Sequence, residues 1–179
     1  MSYINLYDFI DTLSDICTGD DVIVPSSSGF AAEVTMQAWK VKKGQRIINL
    51  PGLGSMGFAL PMAIGAAVAS KRRVICIEGD GSLQHNIQEL ETMRRLNLPI
   101  KLFVLNNEGY ASIRNTHNKF FGNDPTAELT FPPLRHIADA YDILFERIED
   151  IDNIQGILKS KAQYICEITI DPNQQREVI

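Results

Sequence analysis

The sequence predicts an α/β fold, a doubly wound parallel sheet with helices on both faces. Three observations predict it. Short apolar runs such as Val22-Ile23-Val24, Val74-Ile75-Cys76-Ile77 and Ile100–Leu105 are near-continuous rather than alternating, the mark of strands buried on both faces. Longer segments of helical period separate them, as strand-helix-strand units require. Four loops, at 25–30, 50–57, 78–82 and 106–111, are rich in Gly, Ser or Asn. They follow the strands, where an open α/β sheet binds its ligands.

The elements follow in order. Residues 4–16 place Ile4, Leu6, Phe9, Ile10, Leu13 and Ile16 near helical spacing. Val22–Val24 is a strand closed by Pro25, and Ser26–Gly29 is a loop before a helix at 31–40. Arg46–Asn49 reads as a second strand; Gly52, Gly54 and Gly57 then lead into a helix of small residues at about 58–70. Arg73–Glu78 is the third strand and Gly79–Ser82 a turn. Residues 83–96 predict one amphipathic helix, with Leu83, Ile87, Leu90, Met93 and Leu96 on one face and Pro99 beyond its end. Ile100–Leu105 is the fourth strand, 110–121 a helix or turn region, and 122–133 a Pro-containing loop before a helix to about 141. A short strand at 143–145, a helix at 150–160 and a strand at 164–170, stopped by Asp171-Pro172, complete the chain. Crossovers are expected to be right-handed. No repeat, linker or low-complexity segment divides the sequence, so 1–179 is expected to be one domain.

A chain of 179 residues can bury a full core, about 70% of its unfolded surface. The net charge of -5 argues against nucleic acid, whose partners carry a basic footprint. The clusters Lys40, Lys42, Lys43, Arg46 and Lys71, Arg72, Arg73 read as solvated charges just before strands. Cys17, Cys76 and Cys166 are too far apart for a disulfide framework or a metal-binding CxxC. No apolar run reaches membrane-spanning length, and Met1-Ser2-Tyr3 leads straight into Asn5 and Asp8 without a signal-peptide pattern. A cytoplasmic protein that binds no membrane is expected.

Gly79-Asp80-Gly81-Ser82 joins the end of a strand to the start of a helix. Free N–H groups at a helix start suit phosphate, and flanking glycines let the backbone approach a ligand closely. Asp80 would repel a bare phosphate, so its place there makes sense with a divalent cation between them. Magnesium, which takes hard oxygen ligands, fits. Taken alone, Asp-Gly is an ordinary turn pair. One strand-helix-strand unit later comes Asn106-Asn107-Glu108-Gly109-Tyr110. That unit brings the chain back beside the Asp80 loop, where the Asn107 amide oxygen and the Gly109 carbonyl could complete a magnesium site. A capped Asn turn is the plainer alternative.

Gly-Asp-Gly-Ser followed, after residues 83–105, by Asn-Asn resembles the thiamine-diphosphate motif of pyruvate-decarboxylase and acetolactate-synthase-type enzymes. The resemblance implies a magnesium ion held by Asp80, Asn107 and the Gly109 carbonyl. Gly79, Gly81, Ser82, Tyr110 and Ala111 would lie on the diphosphate. Upstream, Gly52-Leu53-Gly54-Ser55-Met56-Gly57-Phe58-Ala59-Leu60-Pro61 is similar to the acetolactate-synthase stretch that holds the cofactor's rings. There Gly54, Ser55 and Met56 would be cofactor-binding. The Gly54 carbonyl would accept from the 4'-amino group and Met56 would wedge under the bend, the two acting in catalysis by positioning. The Gly-x-Gly-x-x-Gly spacing of 52–57 lacks the acidic partner of a dinucleotide site. Ser28-Gly29-Phe30 corresponds to the family's other diphosphate loop, without its Gln and His. His85, Thr116 and His117 depart from the family, Thr116 standing where biosynthetic acetolactate synthases have a Trp of the second-substrate pocket.

The resemblance spans the whole chain but implies only one-third of such an enzyme: a diphosphate-binding domain, with the pyrimidine domain, its activating Glu and a central domain supplied elsewhere. The implied partners are a pyrimidine-domain chain or segment of the same enzyme, a small 2-oxo-acid substrate, and further subunits in a homo- or hetero-oligomer. The first reading is an acetolactate-synthase-like decarboxylating carboligase. The second is the β subunit of a two-chain 2-oxo-acid decarboxylase of the sulfopyruvate type. The third, of a different class, is a non-catalytic module for another phosphate ligand.

Overall fold

The computed structural model describes residues 3–177, so Met1 and Ser2, which enter the expectation about a leader, lie outside the described residues. Six strands form one sheet: β1 Val22–Pro25, β2 Arg46–Ile47, β3 Val74–Gly79, β4 Ile100–Asn106, β5 Leu144–Ile148 and β6 Tyr164–Thr169. Their order is β2-β1-β3-β4-β6-β5, and every neighbouring pair is parallel. The helices are α1 Leu6–Ile16, α2 Gly29–Ala38, α3 Ala59–Ser70, α4 Asp80–Leu83, α5 Glu89–Arg95, α6 Ala111–Phe121, α7 Leu134–Ala140 and α8 Ile154–Lys159.

Side-chain alternation builds two cores on the sheet's two faces. Ile23, Ile75, Ile77, Phe103 and Leu105 pack with α1, α2 and α8. Val22, Val24, Val74, Cys76, Ile100 and Val104 pack with α3, α5 and α7. Because both alternate sets are apolar, the strands read as continuous runs. Fully burying each such side chain contributes about 2 kcal/mol. Helix α3 lies close to the sheet because its inner face is mostly small: Ala59, Ala63, Ala66 and Ala67 beside Leu60. Helix α1 starts at Leu6 because the Asn5 side chain caps it, accepting the N–H groups of Tyr7 and Asp8 at 2.9 and 3.4 Å.

From β1 the chain runs outward to β2, then crosses back to β3 and continues to β4. Connections leaving β1 and β3 therefore diverge, opening a crevice at their carboxyl ends between residues 26–29 and 79–82. Among the described residues no helix is long and apolar enough to cross a membrane.

Two expectations need correction. The helix expected at 83–96 starts at Asp80, with Gly79 as its extended cap, and tightens into a 3-10 turn at Gln84–Asn86 before α5. The motif turn and the amphipathic helix are thus one nearly continuous helical path, in which the first turn is the motif itself. Helix α2 runs 29–38 rather than 31–40, because Ser28 is already extended and Trp39 turns back to extended backbone.

Candidate cofactor site

At the carboxyl ends of β1, β3 and β4 lies a cleft of about 460 Å³. The sequence-predicted residues Ser28, Gly29, Phe30, Gly54, Met56, Gly79, Asp80, Gly81, Ser82, Asn107, Tyr110 and Ala111 all line it. Four separate loops therefore converge as the sheet topology requires. Ser55 and Gly109 are not on the wall: the Ser55 carbonyl accepts the Ser27 hydroxyl, and Gly109 bonds on both sides of its peptide.

Asp80 is 5% exposed. Its Oδ1 accepts the N–H of Gly81 at 2.7 Å and its Oδ2 the N–H of Gly109 at 2.8 Å, so it ties the β3 loop to the β4 loop. None of the ion pairs among the described residues gives it a cation. Burial pushes its pKa up, opposed by the N–H groups of Gly109, Gly81 and Asn107. Asn107 Oδ1 is buried and has no hydrogen-bond partner. An uncompensated carboxylate and an orphaned amide oxygen, both on one cleft, are the donor set a hard cation takes.

The turn that brings Asn107 to this place is strained. Glu108, Gly109 and Tyr110 have φ of 61°, 79° and 37°, all left-handed. For the two residues with a Cβ this costs about 1 kcal/mol or more each. The Asp80–Gly109 bond opposes that cost, and so does Arg114, whose guanidinium donates to the carbonyls of Asn107, Glu108 and Gly109 at 3.1–3.3 Å. One lone pair of the Gly109 carbonyl, expected to face a metal, is thus already engaged.

Tyr110 places its ring over Gly81, where an added Cβ would lie 2.7 Å from the ring, so any larger residue must displace that ring. The Tyr110 hydroxyl donates to the Gly81 carbonyl at 3.2 Å, and His85 Nε2 lies 3.2 Å from that hydroxyl on its other side. Phe131 meets the Tyr110 ring edge-on. The Tyr110 hydroxyl therefore braces the loop. The backbone of Gly81 and of Tyr110–Ala111 remains at the cleft.

Met56 is 36% exposed and sits on the cleft wall, whereas Leu60 is fully buried in the core. Glu78 is 0% exposed and does not line the cleft. Burial raises its pKa, opposed first by the Ser26 and Ser82 side chains and then by the N–H groups of Gly79 and Ala59. The first turns of α6 add Ser112, Ile113, Thr116 and His117 to the wall. Thr116 and His117 stood out in the sequence. Ser112 and Ile113 did not, although the spacing 112, 113, 116 and 117 is one face of a helix.

A family model described as "Thiamine pyrophosphate enzyme, C-terminal TPP binding domain" matches residues 28–165. Acetolactate synthase 1, chloroplastic, of Nicotiana tabacum is 31% identical over 175 residues, which are 90% of this chain and 26% of that protein. The acetolactate synthase isozyme 2 large subunit of Escherichia coli K12 is 36% identical over 135 residues, 71% of this chain and 24% of its own length. The chain thus spans about a quarter of the length of the curated relatives it matches. Among solved structures, a thiamine diphosphate-dependent 4-hydroxybenzoylformate decarboxylase of Rhodococcus jostii superposes with a TM-score of 0.81 at 20% identity. It covers 96% of this chain and 34% of that one. At this identity the likeness is one of fold.

Proposed function

Because the chain belongs to the thiamine pyrophosphate enzymes, as their C-terminal TPP-binding domain, we propose that it holds thiamine diphosphate and magnesium for an acetolactate-synthase-like decarboxylating carboligase. The observation that carries this reading is the pairing of buried, cation-free Asp80 with the partnerless Asn107 oxygen on one cleft. Asp80 and Asn107 would hold magnesium, with the free lone pair of the Gly109 carbonyl. Backbone of Gly79, Gly81, Tyr110 and Ala111, with Ser82 and the Ser28–Phe30 loop, would face the diphosphate. Gly54, Ser55 and Met56 would carry the ring end. Bound there, the cofactor supplies the carbanion chemistry by which a small 2-oxo acid loses carbon dioxide and its remainder joins a second carbonyl.

The chain's own residues contribute position, not proton transfer. The acids near the cleft have other places: Asp80 at the metal end, Glu78 enclosed and bonded to Ala59, and Glu108 exposed. The activating Glu belongs on a pyrimidine domain, in another segment or another chain of an oligomer. A covering partner is supported by the apolar side chains Leu50, Leu53, Phe58, Ile113, Phe120 and Phe121, all exposed on segment 50–58 and on α6. The three buried free thiols suit a reducing cytoplasm.

Titration calorimetry with thiamine diphosphate, with and without magnesium, tests the binding. Magnesium-dependent heat is expected, and none would overturn the reading. Proton–deuterium exchange at the cofactor's C2, followed by NMR, tests the division of labour. The 179-residue chain should leave that rate close to its free-solution value. Acceleration by orders of magnitude would place an activating acid within this chain.

A further inference from the structure

Glu78 is a fully buried acid that does not itself line the cleft, although the Ser26 and Ser82 side chains that favour its charged form do. Burying a carboxylate is costly unless it is bonded, and none of the ion pairs among the described residues includes it. What it holds must account for it. Its Oε2 accepts the N–H of Ala59, the first residue of α3, at 3.2 Å, and its Oε1 accepts the N–H of Gly79 at 3.1 Å. Four residues on, Ser82 Oγ accepts the N–H of Gly57 at 2.7 Å. Four further, Asn86 Nδ2 donates to the Gly57 carbonyl at 2.9 Å.

Side chains 78, 82 and 86 thus grip both sides of the Gly57 peptide and the start of α3. The grip is close: Gly57 has φ +78°, and a Cβ there would lie 2.6 Å from the Cβ of His85. On the opposite flank, the Ser27 hydroxyl donates to the Ser55 carbonyl. Met56 is the one residue between these two anchorages, and its side chain is left to the cleft.

We propose that Glu78 is a positioning residue which, with Ser82 and Asn86, clasps Gly57–Ala59 and so sets Met56 in register with the Asp80 loop. The clasp makes the ring end and the diphosphate end of the site one rigid unit, although 22 residues of sequence, Met56 to Ile77, lie between Ser55 and Glu78. The inference rests on the proposed function only in assigning Met56 to the ring end.

The test uses the full-length protein, unaltered and as Glu78→Gln and Asn86→Ala. Asn86 is only half-buried, so its variant reads the same clasp if Glu78→Gln does not fold. Three quantities are measured: amide hydrogen exchange over 56–60, magnesium-dependent binding of inorganic pyrophosphate, and binding of thiamine diphosphate. Pyrophosphate reports on the diphosphate end alone. Exchange should quicken about tenfold and thiamine diphosphate affinity fall about tenfold, as for one lost buried hydrogen bond, with pyrophosphate affinity held within about twofold. Unchanged exchange would overturn the clasp. Equal losses for both ligands would overturn it too, since Glu78 would then act on the diphosphate loop or on the fold at large. If the unaltered protein binds both ligands equally well, the assignment of Met56 fails, and exchange alone still decides whether the clasp exists.

Discussion

Strands β3 and β4 have buried or half-buried charged and polar groups at both ends, and the two ends treat them differently. At the amino ends stand Arg73 and Lys101. Arg73 makes a two-pronged bond to Asp21, both contacts at 2.7 Å, and a third bond to the Leu158 carbonyl. Lys101, 2% exposed, donates to the carbonyls of Ser160 and Ala162 and lies 4.7 Å from the Tyr164 ring centre. Every charge there is answered by the chain itself. At the carboxyl ends, Asp80 has backbone N–H groups but no cation, and the Asn107 oxygen has nothing. Unmet need, rather than burial or charge as such, distinguishes a binding site from a structural one.

The largest expected effect comes from breaking the carboxyl-end pair. Asp80→Asn removes the charged metal ligand, and magnesium-dependent thiamine diphosphate affinity should fall by about two orders of magnitude or more. The melting temperature of the ligand-free protein should change little, because losing a buried, unpaired charge offsets the weakened bond to Gly109. Calorimetry and a thermal melt on one preparation separate the two readouts. A large loss of stability with binding retained would place Asp80 with the structural charges.

The mirror-image result is expected at the other end. Asp21→Ala leaves Arg73 unpaired and frees the Thr18 N–H that Asp21 accepts at 2.7 Å. Urea unfolding should show a loss of about 3 kcal/mol, with cofactor affinity unchanged in the folded protein. Weakened binding there would mean that the two ends are coupled through β3.

Much of this contrast was legible in the sequence because it is written in local pattern. Continuous β-branched runs gave strands buried on both faces, and Gly-Asp-Gly-Ser with Asn106-Asn107 marked the loops that converge. What was hidden depends on side-chain direction across the fold. Glu78 and Asp80 are two residues apart and both acidic, yet one faces the α3 terminus and the other the cleft. Nothing local separates them. Lys101 interrupts an apolar strand, and only the approach of the 160–162 carbonyls from far along the chain explains how it is buried. Arg114 and Tyr110 brace the strained turn through contacts that loop composition does not encode.

A smaller effect should follow from the cleft wall. Gly81→Ala puts a Cβ against the Tyr110 ring and forces that ring outward. Overpacking of this kind costs about 1–2 kcal/mol. Because Tyr110 also closes the turn that carries Asn107, thiamine diphosphate affinity should fall about tenfold with it, a change of about 1.4 kcal/mol. Gly81→Ala combined with Tyr110→Ala should recover part of the stability in a thermal melt. If the double variant is no better than the single one, the ring is not what glycine accommodates.

The smallest effect sits at the amino end and appears only with pH. Burial lowers the Lys101 pKa from 10.5 to about 8, with Cys166 opposing and Arg73 adding to the shift. At pH 7 the amine is still mostly charged and its two carbonyl partners are used, so Lys101→Met should cost only about 1 kcal/mol. Between about pH 8 and the unfolded lysine value near 10.4, the unfolded chain binds more protons at this site than the folded one, so Lys101 adds stability as pH rises. The buried thiols act in the opposite sense. Burial raises Cys17 to about 12 and pushes Cys76 and Cys166 up as well, so their contribution to stability falls as pH rises above the free-thiol range. The total can therefore decline while the Lys101 part climbs. The measurement is the difference in unfolding free energy between the unaltered protein and Lys101→Met, taken from pH 7 to 10. That difference should grow in favour of the lysine, by at most about 1.4 kcal/mol per pH unit for one proton. A flat difference would show that the Ser160 and Ala162 carbonyls hold the amine charged throughout, and the answered charge at this end would then be answered completely.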